Sequence, residues 1–142
     1  MESAHPLVVH FPIALLLSAL ALEGLALALK RPALQRVSLW NLGLGTLGAA
    51  AAVVTGLQAE DVGKHSFEIW QVMQLHKRLG ITTLILGVMA SGLRLFTRDR
   101  LSPRFRAFTF ALMLAMASTL AAGGYLGGRL VYEFGVGGRF GR

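Results

Sequence analysis

The chain has 142 residues, of which 54% are hydrophobic and 15% are charged. Soluble domains carry about 25% charged residues, and here the apolar residues form long blocks, so the composition indicates a protein of the lipid bilayer. The formal charge of +7 does not indicate nucleic-acid binding, because the basic residues stand at the ends of apolar blocks, where they orient membrane helices. The absence of cysteine excludes disulfides, cysteine-ligated zinc or iron–sulfur clusters, and thioether-attached haem.

Four apolar segments are long enough to cross a bilayer, which takes about 20 residues. We place them at about 7–29, 38–57, 75–96 and 107–126, followed by a glycine-rich tail at 127–142 that either folds against the bundle or frays. The first segment is expected to be a retained helix and not a signal peptide, because no basic residue precedes it. The sequence thus predicts one all-α domain, a membrane-embedded antiparallel four-helix bundle.

The charge distribution predicts which way the bundle faces. Lys30, Arg31 and Arg36 follow the first segment, and the link between the third and fourth segments is flanked by Arg94, Arg98, Arg100, Arg104 and Arg106. By the positive-inside rule these links face the cytoplasm of a bacterial inner membrane. Both termini and the link between the second and third segments are then expected on the outer, periplasmic side. The histidines on that side are His5, His10, His65 and His76.

Small residues recur at every fourth position in the apolar segments. In the fourth segment the series is Ala111, Ala115, Thr119, Gly123 and Gly127. Such ridges let helices approach closely in lipid, where no hydrophobic force drives them together. They predict a tightly packed bundle, and they also permit a homo-oligomer or a larger membrane complex.

Two histidines are predicted to stand at the same height in the bundle. His10 opens the first segment and His76 opens the third, and both segments run inward from the outer side. At helical spacing His10 is followed by Ala14 and His76 by Gly80, so each imidazole stands above small residues that leave room for a flat group. Facing histidines on two helices are the usual way in which a bundle holds haem. We therefore expect haem b as cofactor, with His10 and His76 as iron ligands.

Other residues at the outer end of the bundle, near His10 and His76, are candidates to complete the site. They are Lys77, Arg78 and Arg129 for the haem propionates and Tyr132 as a hydrogen-bond donor. His5 is a neighbouring polar group, an alternative ligand or a solvent-exposed residue, and His65, in a polar loop, is expected to be solvated.

Pro12 leaves two settings open for His10. If Pro12 lies inside the first helix, it kinks the helix and frees the Val8 carbonyl. If Pro12 is the first helical residue, His10 lies on the loop that leads into the helix. Either setting gives His10 an unusual backbone environment, which suits holding its side chain in a defined orientation.

Glu23 is an acidic residue in the inner half of the first segment. Carboxylates within a membrane segment are functional candidates by default. Lys30 lies on the same helix face and Arg94 ends a neighbouring segment, so we expect an ion pair near the inner interface and not a proton relay.

Motifs at the start, middle and end of the chain resemble those of a known protein family. They are His5-Pro6-x-x-Val9-His10-Phe11-Pro12-Ile13-Ala14, the pair Thr55-Gly56, His76, and Gly127-Gly128-x-Leu130-Val131-Tyr132-x-x-Gly135-Val136-Gly137. These motifs resemble the bacterial membrane family catalogued as domain of unknown function 2231. The resemblance implies four membrane helices and redox or cytochrome-type partners. It also points to His10 and His76, with His5, as the motif histidines.

Three functions follow as hypotheses. A small b-type cytochrome, an electron carrier and not a stand-alone enzyme, would pass electrons between a periplasmic redox partner and a membrane partner such as a quinone. A non-catalytic subunit or scaffold of a respiratory complex would use the small-residue ridges for assembly. A periplasm-facing copper or zinc protein would use His5, His10 and His76 as metal ligands.

Overall fold

The fold is known from a computed structural model that describes residues 8–60, 66–97 and 102–136, without the side chains of residues 59 and 60. The four helices are α1 (His10–Leu29), α2 (Pro32–Glu60), α3 (Phe67–Phe96) and α4 (Pro103–Tyr132). Each contains a stretch that is long and apolar enough to span a membrane. The predicted all-α membrane fold is confirmed.

The helices alternate in direction, and each packs against two others. α1 pairs with α2, and α3 pairs with α4, while α2–α3 and α1–α4 contacts join these two hairpins. Two contacts show that α1 and α2, which form the first hairpin, run antiparallel. Gly48 of α2 faces Phe11 at the start of α1, and the Ser38 hydroxyl, nearer the start of α2, donates a hydrogen bond to the Ala19 carbonyl at 2.9 Å. In this arrangement α1 and α3 lie diagonally across the bundle.

The two ends of the bundle differ in chemistry. The basic end holds the α1–α2 and α3–α4 links, with Lys30, Arg31, Arg36, Arg104 and Arg106 among its residues. The histidine end holds the starts of α1 and α3 and the ends of α2 and α4, with His10 and His76. Because consecutive helices alternate in direction, both histidines do fall at one end, as the sequence predicts.

Several helices extend beyond the apolar segments. α2 begins at residue 32 and not at 38, α3 begins at 67 and not at 75, and α4 runs over 103–132 and not 107–126. The added turns are polar or amphipathic, so an apolar window does not detect them. An apolar segment long enough to cross a bilayer therefore shows where a helix lies in the sequence, but not at which residues that helix begins and ends.

Local capping explains where α3 and α4 begin. The Ser66 hydroxyl accepts a hydrogen bond from the Ile69 N–H at 3.4 Å, and the Ser102 hydroxyl accepts one from the Phe105 N–H at 3.5 Å. Pro103 follows as the first helical residue, a position whose N–H has no intrahelical partner in any helix. Serine caps of this kind stabilise a helix start by about 1 kcal/mol.

The stretch predicted as a glycine-rich tail begins inside α4. Gly127 and Gly128 are helical, and Leu130 is buried. The chain turns only at Gly135, whose φ of +65° is readily adopted by glycine. The Val136 N–H then donates back to the Leu130 carbonyl at 2.8 Å, so this part of the tail folds onto its own helix, while 137–142 lie outside the described residues.

The apolar core fills the middle of the bundle. Its members are Leu16, Ala19, Leu42, Ala49, Ala90, Met113 and Met116. Beside it, α2 and α3 come close enough for the Thr46 and Ser91 hydroxyls to lie 3.2 Å apart. Gly87 makes this approach possible, because a Cβ added there would lie 2.8 Å from Thr46 Oγ1. Small residues therefore set the helix spacing here, as expected for packing in lipid.

A buried ion cluster joins all four helices at the basic end. Glu23 Oε2 lies 3.0 Å from Arg94 Nη1, with side-chain exposures of 5% and 1%, in an ion pair without the alignment of a hydrogen bond. Arg94 donates to Ser38 Oγ at 3.1 Å and to the Gln35 carbonyl at 2.8 Å. Arg106 donates to Gln35 Oε1 at 2.8 Å. The predicted ion pair of Glu23 is confirmed, with Arg94 as the partner.

Gly87→Leu is expected to destabilise the bundle by about 1–3 kcal/mol, because the new side chain overlaps Thr46 and separates α2 from α3. Thermal unfolding of the detergent-solubilised protein, followed by circular dichroism, measures the change. Gly92→Leu on the same helix is the matched control, because an added Cβ there meets no atom within 4 Å. Equal unfolding temperatures for the two variants would contradict the close approach at Gly87.

Arg94→Met is expected to cost about 3–5 kcal/mol, because it leaves the Glu23 carboxylate buried without its nearest cation. Adding Glu23→Gln to the same chain removes that stranded charge and should recover part of the loss. The four unfolding free energies form a double-mutant cycle. Losses that simply add would show that Glu23 and Arg94 are not coupled.

Candidate functional site

The His76 ring is held against α4. Its Nδ1 lies 2.8 Å from the carbonyl oxygen of Gly123, and a Cβ at Gly127 would come within 3.0 Å of its Cε1. A carbonyl can only accept, so Nδ1 carries the proton, and in the neutral ring the lone pair is on Nε2. Metal-binding histidines are commonly oriented in this way, with one N–H fixed by a carbonyl and the other nitrogen acting as ligand.

Two glycines one turn apart on α4 form the seat of this ring. Gly123 is buried and faces α3, where a Cβ would lie 3.5 Å from Leu79 Cβ. Since neither Gly123 nor Gly127 has a side chain, the His76 ring reaches the α4 backbone directly. The sequence ridge predicted close packing at these glycines but not their contact with His76. A glycine pair at this spacing, opposite a histidine on an antiparallel helix, is the signal that could have revealed it.

His10 is the first residue of α1, and its side chain is exposed. Pro12 is the third residue of α1 and is buried, so it lies inside the helix, and the alternative setting with His10 on an entry loop is wrong. Because α1 and α3 are diagonal, the structure places His10 at the same end as His76 but packs the His76 ring on α4 and not on α1.

The small residues below the histidines have different surroundings. Ala14 is exposed on α1. Gly80 is half-buried on α3, and a Cβ added there would meet no atom within 4 Å. Open space therefore does lie beside the helix one turn below His76.

The remaining candidates do not converge on His76. Arg78 is exposed on α3, and Tyr132 is 85% exposed at the end of α4. Arg129 Nε donates to Glu133 Oε2 at 2.8 Å, one turn along its own helix. At 100° per residue, Arg129 and Tyr132 lie on the side of α4 away from the His76 seat. His5 and His65 lie outside the described residues.

A shallow recess marks that other side of α4. Its lining residues are Tyr125, Gly128, Arg129, Tyr132 and Glu133. The guanidinium of Arg129 also lies 5.8 Å from the centre of the Phe134 ring. These contacts tie Arg129 to the end of α4, so its charge is already engaged there.

The burial of α2 and α3 differs between the two ends of the bundle. Among described residues, none of α2 after Ala49 and none of α3 before Thr83 is buried. At the basic end, by contrast, Glu23, Ser38 and Arg94 are all buried. Buried residues of α2 and α3 therefore lie between the basic end and the middle of the bundle, whereas α1 and α4 bury Pro12, Gly123 and Leu130 at the histidine end.

A multi-ligand metal centre is not formed by the described side chains. Within 8–60, 66–97 and 102–136, no group of three or more histidine or acidic residues is placed to hold a metal ion. The predicted set of His5, His10 and His76 falls partly outside those ranges.

Comparison with known proteins gives one match. The family of predicted membrane proteins known as DUF2231 matches residues 2–139. No curated protein and no solved structure matches the chain. The match spans all four helices, and those helices are apolar and long enough to cross a bilayer. The chain therefore belongs to the DUF2231 family of membrane proteins.

Proposed function

We propose that the protein binds haem b at the histidine end and carries electrons in the membrane. The observation that best supports the proposal is the bond from His76 Nδ1 to the Gly123 carbonyl at 2.8 Å. It fixes the tautomer whose Nε2 carries a lone pair, and it holds the ring in one orientation. No described residue of α2 after Ala49 or of α3 before Thr83 is buried, which would leave room for a flat group beside those helices.

His10 is the proposed second ligand. It projects from α1, and a group held between α1 and α3 lies along the diagonal of the bundle, where bundle proteins place their cofactors. His76 and His10 would hold the iron, and the apolar walls would exclude water and so influence the reduction potential. Bound haem would supply one-electron transfer.

The proposed setting is a bacterial inner membrane with the histidine end toward the periplasm. The basic residues concentrated at the opposite end support this orientation by the positive-inside rule. Electrons would then pass between a periplasmic redox protein and a membrane partner such as a quinone. The proposed role is that of an electron carrier and not of a stand-alone enzyme.

Optical spectroscopy of the protein purified from haem-replete cells tests the proposal. The wild type is expected to show Soret and α bands that sharpen on reduction, and His76→Ala is expected to lose them. His10→Ala should alter the spectrum from six-coordinate to five-coordinate haem. Wild-type protein without haem bands would overturn the proposal, and metal analysis of the same sample would then test for copper or zinc.

Gly127→Val and Gly128→Val form a matched pair for the same readout. A Cβ at Gly127 would lie 3.0 Å from His76 Cε1, whereas a Cβ at Gly128 meets no atom within 4 Å. Gly127→Val is therefore expected to move the ring and to lower haem affinity by about 10–100-fold, the usual effect of disturbing the partner of a ligating histidine. Gly128→Val should retain wild-type haem content. Equal haem content in the two variants would argue against His76 as ligand.

A second candidate function is a non-catalytic subunit of a larger membrane complex. Gly124 and Gly128 lie one turn apart on α4, and neither has an atom within 4 Å of an added Cβ. Glycines one turn apart on an unoccupied face of a membrane helix favour close contact with another helix. This observation supports assembly with a further chain through α4.

Leucine at both Gly124 and Gly128 tests this second candidate. Under it, the double variant is expected to leave the larger complex, because two bulky side chains block the helix contact. Light scattering after gentle detergent extraction gives the mass of the particle. Haem content, measured in parallel, should stay unchanged in the double variant, so the two functions have separate readouts. An unchanged particle mass would exclude this α4 face as the contact.

A further inference from the structure

Arg106 at the basic end is incompletely partnered. A guanidinium has five N–H donors and needs an anion when it is drawn out of water. The Nη2 of Arg106 donates to a neutral acceptor, Gln35 Oε1, at 2.8 Å. Its Nε is buried without a hydrogen-bond acceptor, since Glu23 Oε1 is 3.9 Å away. The charge of Arg106 is therefore held in place without a close counter-charge.

Glu23 supplies that counter-charge only at a longer distance, because it lies closer to Arg94. Its Oε2 lies 3.0 Å from Arg94 Nη1, compared with 3.9 Å from Oε1 to Arg106 Nε. One carboxylate thus stands between two guanidinium groups, and these three side chains sum to one positive charge. An anion beside Arg106 would complete the cluster.

The position of Arg106 suits an anion at the membrane surface. It is three residues after Pro103, the start of α4, which is about 4.5 Å along the helix. The positive end of the helix dipole acts there in addition to the side chain. The Arg106 side chain is 25% exposed, so part of it is reachable from outside the bundle.

The surroundings favour a lipid as the source of that anion. The exposed basic residues nearby are Lys30, Arg31, Arg36 and Arg104. Glu23 is the single carboxylate at this end within the part of the chain that the structure describes. Phe105, the residue before Arg106, is 57% exposed, which offers an apolar surface to acyl chains. Basic pockets between membrane helices are typical sites for anionic headgroups.

We propose that Arg106 binds the phosphate of an anionic phospholipid in the leaflet at the basic end. The guanidinium fork matches phosphate geometry, and the exposed quarter of the Arg106 side chain is the part that a phosphate would reach. Arg94 remains paired with Glu23 and positions the cluster. The site is independent of haem binding, which belongs to the opposite end of the bundle.

Lipid titration of the delipidated protein tests the proposal. Phosphatidylglycerol is added in mixed micelles, and the affinity is read from the rise of the thermal unfolding midpoint. Phosphatidylcholine with the same acyl chains is the neutral comparison, and inorganic phosphate tests for a free anion. We expect phosphatidylglycerol to bind more tightly than the other two. Equal affinity for phosphatidylcholine, or stabilisation by inorganic phosphate alone, would overturn the lipid assignment.

Arg106→Gln and Arg104→Gln are the matched variants, since both remove one charge from the first turns of α4. Arg106→Gln is expected to weaken phosphatidylglycerol binding about tenfold or more at high salt, because a charged hydrogen bond is lost. Arg104 is exposed, so Arg104→Gln should weaken binding by about fivefold at low salt only, where surface charge is not screened. Equal affinities of the two variants at high salt would overturn the proposal.

Gln35→Glu gives an independent test that keeps Arg106 in place. The new carboxylate stands at the position of an acceptor 2.8 Å from Arg106 Nη2 and supplies a closer counter-charge than Glu23 does. Phosphatidylglycerol affinity is therefore expected to fall about tenfold while the fold is retained. An unchanged affinity in Gln35→Glu would overturn the proposal even if Arg106→Gln fails to fold.

Discussion

The buried contact between Glu23 and Arg94 is the constraint on which the arrangement of the helices depends. Both side chains are almost fully buried, and the carboxylate lies 3.0 Å from the guanidinium. Outside water, neither charge is tolerated without the other. Arg94 also holds α2 through Ser38 and Gln35, so one side chain of α3 fixes the positions of three helices. The apolar faces alone do not provide this, because lipid solvates them as well as the bundle interior does.

This constraint acts at one end, and the other end is organised differently. At the basic end, charges and hydrogen bonds fix the distance between the hairpins. At the histidine end, the contact that stands out is within the second hairpin, where His76 lies on the backbone of α4. The haem proposal concerns the histidine end, and the lipid proposal concerns the basic end with its excess of positive charge.

The sequence was informative where the pattern of apolar and charged residues reflects whether a segment lies in lipid or in water. The apolar blocks identified four helices, and the intramembrane position of Glu23 predicted an ion pair, although the sequence left Lys30 and Arg94 both open as its partner. It was less informative where the outcome depends on which face of a helix meets which neighbour. Gly123 and Gly127 belong to a small-residue ridge, and only the packing of α3 on α4 shows that His76 occupies it. The incomplete hydrogen bonding of Arg106 could not be predicted for the same reason, since it depends on distances to Glu23 and Gln35.

The short link between α1 and α2 has a consequence for biosynthesis. Lys30 and Arg31 alone separate Leu29 from Pro32, and Lys30 adopts a left-handed backbone that reverses the chain at once. The two-residue link keeps the adjoining ends of α1 and α2 together. Glu23 lies in α1, whereas its cation, Arg94, is made only at the end of α3. The charge balance of the buried pair is therefore complete only once α3 has been synthesised.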